Sequence, residues 1–180
     1  PPAWHLDYYL RRDLPDAARG DWVAWEALRG AGAAVDAPRV RLEGDALRLA
    51  QAGYFGLIHH LDDQLYWLVQ AFTERSGRRK RPWMIVFTSD HGEMLGDHGY
   101  FRKCEPYEGS AHIPLLIRGS SGLGFASGLT HDGPVCLEDL LPTLLDAAGL
   151  PPPAGIDGMS LVPLLRGETT APVRPFLHAE

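Results

Sequence analysis

Between Thr88 and Lys103 the chain reads TSDHGEMLGDHGYFRK. A carboxylate and an imidazole stand side by side at Asp90 and His91, a second such pair follows at Asp97 and His98, and Lys103 closes the stretch thirteen residues after Asp90. A carboxylate oxygen beside an imidazole nitrogen offers a cation two ligands from one turn, and the ion needs at least two more from elsewhere. Neighbouring residues of a regular strand point to opposite faces, so Asp90 and His91 share an ion only where the strand has ended, and Gly92 permits that bend. Lys103 offers a positive donor to an anionic oxygen. His98 offers a second donor or an acid, with Asp97 beside it to orient the ring; a plain loop-surface role fits the spacing of both equally well. His112 reads as structural. On residues alone the Asp-His-Gly turn fits a metal site or a structural turn, and the rest of the chain supplies no convincing second ligand pair.

The elements that would hold these groups follow from patterning. Trp83, Met84, Ile85, Val86 and Phe87 form an unbroken apolar run, which suits a strand buried on both faces. Asp90 and His91 then lie at its carboxyl end, the edge of an open α/β sheet at which ligands bind. Upstream, Leu47, Ala50, Tyr54, Leu57, Leu61, Leu65, Leu68 and Phe72 recur by threes and fours and predict one long amphipathic helix from Glu43 to about Arg75. Asp62 and Asp63, adjacent on that helix, point about 100° apart and do not converge on one ion; a solvated or hydrogen-bonded pair is expected. His59 and His60 read as helix-surface or packing residues. Ser76 to Pro82 is a charged connecting turn. Ile113 to Ile117 is a second short strand, at an edge or beginning at Pro114, which lacks a ladder donor. Gly119 to Gly128 reads as a flexible surface loop. Glu138 to Ala148 reads as a helix with Pro142 in its first turn and Gly149 as its stop. Met159 to Leu165 includes a short helix or turn, and Val173 to Leu177 starts a third strand. Residues 1 to 43 read as an irregular segment with short helical pieces: Asp21 is placed to cap a turn at Trp22, and the aromatics pack against the domain body.

Bulk properties set limits on partners. The 180 residues carry a formal net charge of -6, which argues against a nucleic-acid binder relying on a broad basic surface. No apolar run approaches the roughly 18 residues of a membrane span. Two cysteines, Cys104 and Cys136, are too few for a disulfide framework and favour a reducing, cytoplasmic compartment. The chain starts Pro1-Pro2-Ala3 and stops at Glu180, and both ends are expected to be cut.

Three segments carry a family resemblance: TSDHGEMLGDHGYFRKCEPYEGSAHIPLLIRG, GYFGLIHHLDDQL in the long helix, and LEDLLPTLLDAAGLPPPAGIDGMSLVPLLRGE. Together they resemble the carboxyl-terminal part of the sulfatase family, in the alkaline phosphatase-like superfamily. The resemblance implies an α/β fold, an alkaline phosphatase-like sandwich whose central mixed sheet is flanked by helices and is present here only in part. The expected organisation is a partial catalytic domain over 1–180, with 44–180 as its core portion. In the family pattern Asp90 and His91 match the late metal-ligand pair, where the second residue is often Asn; a His resembles the branch with choline sulfatases and phosphonate monoester hydrolases. Lys103 matches the lysine that contacts the ester oxygens. His98 belongs to the same motif as a substrate-binding residue, and at His112 many sulfatases have Arg, so no role is transferred to it.

The resemblance further implies hydrolysis of a small-molecule sulfate ester with one divalent cation, Ca²⁺, Mn²⁺ or Mg²⁺; an imidazole ligand suits Mn²⁺ or Zn²⁺ better than Ca²⁺. A phosphonate monoester or phosphodiester hydrolase shares the same residues, and a non-catalytic binding fragment is the third reading. The family's nucleophile, a formylglycine made from Cys or a Ser in a Cys/Ser-x-Pro-x-Arg motif, is absent along with the early Asp pair, and is expected upstream. Cys104-Glu105-Pro106-Tyr107-Glu108 imitates the motif's first three positions but has Glu108 where Arg is required, in the wrong part of the domain. Residues 1–180 alone are expected to be poorly soluble, with exposed sheet edges, and inactive. Nothing in the sequence fixes the oligomeric state.

Overall fold

The computed structural model describes residues 1–28, 30, 39–103 and 105–178. They form two compact units, Pro1–Arg75 with His91–Ile113, and Ser76–Asp90 with Pro114–Glu180.

The first unit is built on two helices, α1 (Ala3–Leu10) and α2 (Gly44–Arg78, 35 residues), the latter continuing beyond the unit's boundary. The three-and-four spacing therefore located α2 almost to the residue. It misjudged the buried face. Leu57, Leu61, Leu68 and Phe72 are exposed, whereas Gln51, Ala52 and Gly56 are buried. Small residues win this face because α1 comes very close: a Cβ added at Gly56 would stand 3.1 Å from the Pro1 ring and 3.3 Å from the His5 carbonyl. Polar groups reinforce the docking, with Arg48 donating to the carbonyls of Leu10 and Arg12, and Gln51 to that of Pro15. These bonds give the irregular residues 10–15 the partners that burial of backbone demands.

The segment 91–103 and the short α3 (Glu108–Ala111) complete this unit around Met94, which is 2% exposed, and Tyr100. The short turn at Trp25–Ala27 begins at Ala24 and has no side-chain cap. The aromatics do pack as expected, Trp22 against His98 and Tyr107, and Trp25 under Arg19.

The second unit holds a two-stranded antiparallel sheet of β1 (Met84–Thr88) and β2 (Leu115–Gly119), in register Met84↔Gly119 through Thr88↔Leu115. It is the only named sheet among the described residues, so of the mixed sheet expected only an antiparallel pair is seen here. Pro114 lies just before β2, where its missing N–H costs no ladder bond. β1 is half-buried rather than buried on both faces, with Phe87 exposed. The loop after β2 holds a turn at Ser121–Leu123, and Ala126 N–H donates to the Leu165 carbonyl. α4 (Leu140–Ala147) and α5 (Val162–Leu165) pack together. Pro142 falls in the first turn of α4, and Gly149 ends it at φ +71°, a backbone angle that favours glycine.

Beneath α4, Asp139 is fully buried. Both its oxygens are held by Arg174, at 2.6 and 2.5 Å, and by the backbone N–H groups of Cys136 and Met159. Burial pushes the Asp139 carboxyl up, but Arg174 and the two backbone donors outweigh it and hold the group below the usual carboxylate range. Val173–Leu177 accordingly forms no strand; the segment turns so that Arg174 reaches inward to Asp139. Burial pushes the neighbouring Cys136 thiol up to about 11, so it stays protonated and a poor nucleophile at neutral pH.

Candidate active-site loop

β1 ends at Thr88, two residues before Asp90. Asp90 and His91 therefore leave the alternation of a strand, as sharing an ion requires. Asp90 is exposed, and Ser89 Oγ lies 3.4 Å from its Oδ1. His91 Nδ1 lies 2.8 Å from the Gly92 carbonyl. A carbonyl only accepts, so Nδ1 carries the hydrogen and the ring's lone pair resides on Nε2. Fixing the tautomer through the other nitrogen is the usual way a metal-binding imidazole is prepared. An anionic oxygen and an imidazole nitrogen on consecutive residues thus fit a divalent cation.

Gly92 earns its place differently from the expectation. Its φ is not positive. What it permits is close approach, because a Cβ there would stand 2.1 Å from the Gly109 carbonyl oxygen. Gly92 N–H donates to the Ser110 carbonyl and Glu93 N–H to that of Gly109, which seats the turn on α3. Gly92→Ala is expected to force this contact apart and lower the unfolding free energy by about 1–3 kcal/mol; an unchanged urea midpoint would reject the packing argument.

The loop then doubles back. Met94 N–H donates to the Arg102 carbonyl and Gly96 N–H to that of Tyr100, while one oxygen of Glu93 accepts from the backbone of Leu95 and Arg102. Lys103, next after Arg102, is thereby returned to the level of Glu93, two residues from His91. Its side chain is exposed. The reversal needs left-handed backbone at Leu95, Gly96, His98, Gly99 and Arg102, three of them non-glycine residues for which that conformation costs about 1–3 kcal/mol each.

His98 is held by a neighbouring segment rather than by Asp97. Gly20 N–H donates to its Nδ1 at 2.9 Å, and His98 N–H donates to the Ala18 carbonyl. Asp97 Oδ1 accepts from Ala18 N–H at 2.8 Å instead. The expectation that Asp97 orients the imidazole is thus replaced: backbone geometry does so, with Trp22 and Tyr107 ring centroids 5.2 and 5.0 Å away. An accepting Nδ1 places the ring hydrogen on Nε2, making His98 a donor. His112 Nδ1 meets Glu108 across one exposed turn of chain, a local pair in keeping with a structural role. Glu93, Gly20 and Tyr107 carried no signal in the sequence, since their contribution depends on backbone partners distant along the chain.

The chain has the α/β fold of the alkaline phosphatase-like class, present here in part. The phosphonate monoester hydrolase of Silicibacter pomeroyi superposes with a TM-score of 0.71 at 29% identity, over 89% of this chain and 33% of that one. The family model described as Sulfatase matches residues 12–150, and the chain belongs to the sulfatase family. An arylsulfatase of Clostridium perfringens is 35% identical over 181 residues, covering 100% of this chain and 37% of its own length. A choline-sulfatase of Rhizobium meliloti is 40% identical over 138 residues, 74% of this chain and 26% of its own length. The chain thus spans between about a fifth and two fifths of the length of the relatives it matches. No helix among the described residues is long and apolar enough to cross a membrane.

Proposed function

We propose that the whole protein hydrolyses small-molecule sulfate esters, and that this chain contributes Asp90 and His91 as cation ligands, Lys103 as a catalytic cation and His98 as a substrate-binding donor. The observation that carries the reading is the loop reversal that returns Lys103 to the level of Glu93, two residues from His91. Relatives named arylsulfatase and choline-sulfatase support sulfate as the transferred group. The attacking group, a formylglycine made from Cys, or a Ser, would come from upstream of Pro1.

One divalent cation, Mn²⁺, Mg²⁺ or Ca²⁺, would be held by the Asp90 carboxylate and His91 Nε2, and when bound it supplies Lewis-acid polarisation of an ester oxygen. Asp90 contributes the negative charge that makes the turn selective for cations. Gly92 fixes the His91 tautomer through its carbonyl. Lys103 brings an ammonium to the oxygens of the anionic ester, where charge develops as the S–O bond breaks; such a donor is typically worth about 3 kcal/mol in the transition state. His98, with its hydrogen on Nε2, donates to substrate oxygen without needing to be charged.

Purified full-length protein should hydrolyse 4-nitrophenyl sulfate, and Lys103→Ala should lower kcat about 100-fold. A parental rate in that variant would overturn the assignment. The structural likeness to a phosphonate monoester hydrolase favours a second reading, in which a phenylphosphonate ester is turned over faster than the sulfate; measuring kcat/KM for both esters on one preparation separates the two.

A further inference from the structure

On the face of α2 that meets α1, Ala52, Gly56, His59 and Asp63 follow one another at spacings of four, three and four. Residues so spaced share one side of a helix. The close approach at Gly56 lets α1 insert His5 against this row, where it is 2% exposed. His5 Nε2 lies 3.1 Å from Asp63 Oδ2, and one ligand atom from each of His5, His59 and Asp63 falls within 4.8 Å of the others. We propose that these three residues form a second cation site, taking a divalent transition ion of the Zn²⁺ type and joining α1 to α2.

Three observations carry this. Two imidazoles and one carboxylate are the donor set such ions prefer, whereas Ca²⁺ and Mg²⁺ favour oxygen alone. Two ligand atoms bonded at about 2.0–2.1 Å to one tetrahedral ion stand about 3.4 Å apart, close to the His5–Asp63 separation. His59 Nδ1 is buried and makes no hydrogen bond among the described residues, which leaves a donor atom in the cluster that its one His–Asp contact does not use.

The surroundings suit a structural ion. Rings of Trp4, Tyr8 and Tyr9 stand 5.3, 5.6 and 5.9 Å from that of His59, closing one side. The Asp63 side chain is 44% exposed, which provides an entry path and room for water as a fourth ligand. α1 has eight residues and no side-chain cap, too short to persist alone, so an ion bridging it to α2 would hold it in place. The site shares no residue with Asp90–His91, and it stands whether or not the sulfate reading does.

The test uses the full-length protein carrying Asp90→Asn, so that binding at Asp90 does not enter the count, and measures Zn²⁺ by equilibrium dialysis with elemental analysis. One Zn²⁺ per chain is expected, with affinity lowered at least 100-fold by adding Asp63→Asn or His59→Gln. Zn²⁺ is also expected to raise the thermal midpoint of the parent protein, and Co²⁺ to give the visible absorption of a low-coordinate histidine site. Equal Zn²⁺ retention in the site variants overturns the proposal. Should those variants fail to fold, a parent protein whose midpoint ignores Zn²⁺ and whose Co²⁺ spectrum shows only octahedral coordination overturns it as well.

Discussion

Asp90→Asn in the full-length protein is expected to reduce kcat/KM for 4-nitrophenyl sulfate on the order of 10³-fold, equivalent to about 4 kcal/mol of transition-state stabilisation. The substitution preserves size and the strand-end turn while removing the anionic oxygen proposed as a cation ligand beside His91 Nε2. A turn reduced to one imidazole and one amide holds a divalent ion weakly, so the cation lost with Asp90 should be measurable as reduced metal content at low added metal. Because β1 ends at Thr88 and Asp90 is exposed, stability should change little, which separates loss of chemistry from loss of fold. Full activity and unchanged metal content in Asp90→Asn would reject Asp90 as a ligand.

Arg174→Met is expected to destabilise the protein by about 3–5 kcal/mol, the cost of leaving a buried charge without its partner. Asp139 is fully buried and its bidentate partner is the guanidinium. The pH dependence supplies a sharper signature. In the parent the Asp139 carboxyl is held below its ordinary range, so its contribution is present above the unfolded value of about 3.9 and is lost as pH falls through the lower folded value. Without Arg174, burial dominates and favours the protonated acid. The gap in unfolding free energy between parent and variant should therefore shrink between pH 7 and pH 4, as read from urea melts. A gap that is constant with pH, or smaller than 1 kcal/mol at pH 7, would show that Asp139 does not depend on Arg174.

The contrast between what patterning located and what it missed has a physical origin. α2 was legible because the three-and-four spacing is set by helix geometry whatever the helix packs against. Its buried face was not, since Gly56 and Ala52 are buried by the proximity of α1, and small residues carry no hydrophobic signal. Asp90, His91 and Lys103 stood out as a cluster in sequence, and the loop reversal keeps 91 and 103 near each other along paired backbone. The partners of Asp97 and His98 lie 78 or 79 residues away, beyond any local rule. Val173–Leu177 looked like a strand because Val, Phe and Leu flank it, yet Arg174 within it satisfies a buried carboxylate, a demand visible only once Asp139 is seen inside. Asp62 and Asp63 were expected to be a solvated or hydrogen-bonded pair; that Asp63 meets His5, 58 residues earlier, needed the fold.

The backbone between Leu95 and Arg102 has a bearing on mutational history. Three non-glycine residues there sit in left-handed conformations, so random substitution toward Gly or Asn at Leu95 or Arg102 would relax the chain while removing a side chain. The Glu93 carboxylate holds the reversal by accepting from the backbone amides of both residues, contacts that do not depend on the side chains at these positions. Glu93 thus makes the reversal tolerant of side-chain change at Leu95, and the sequence of this loop has room to vary there that it lacks at Glu93.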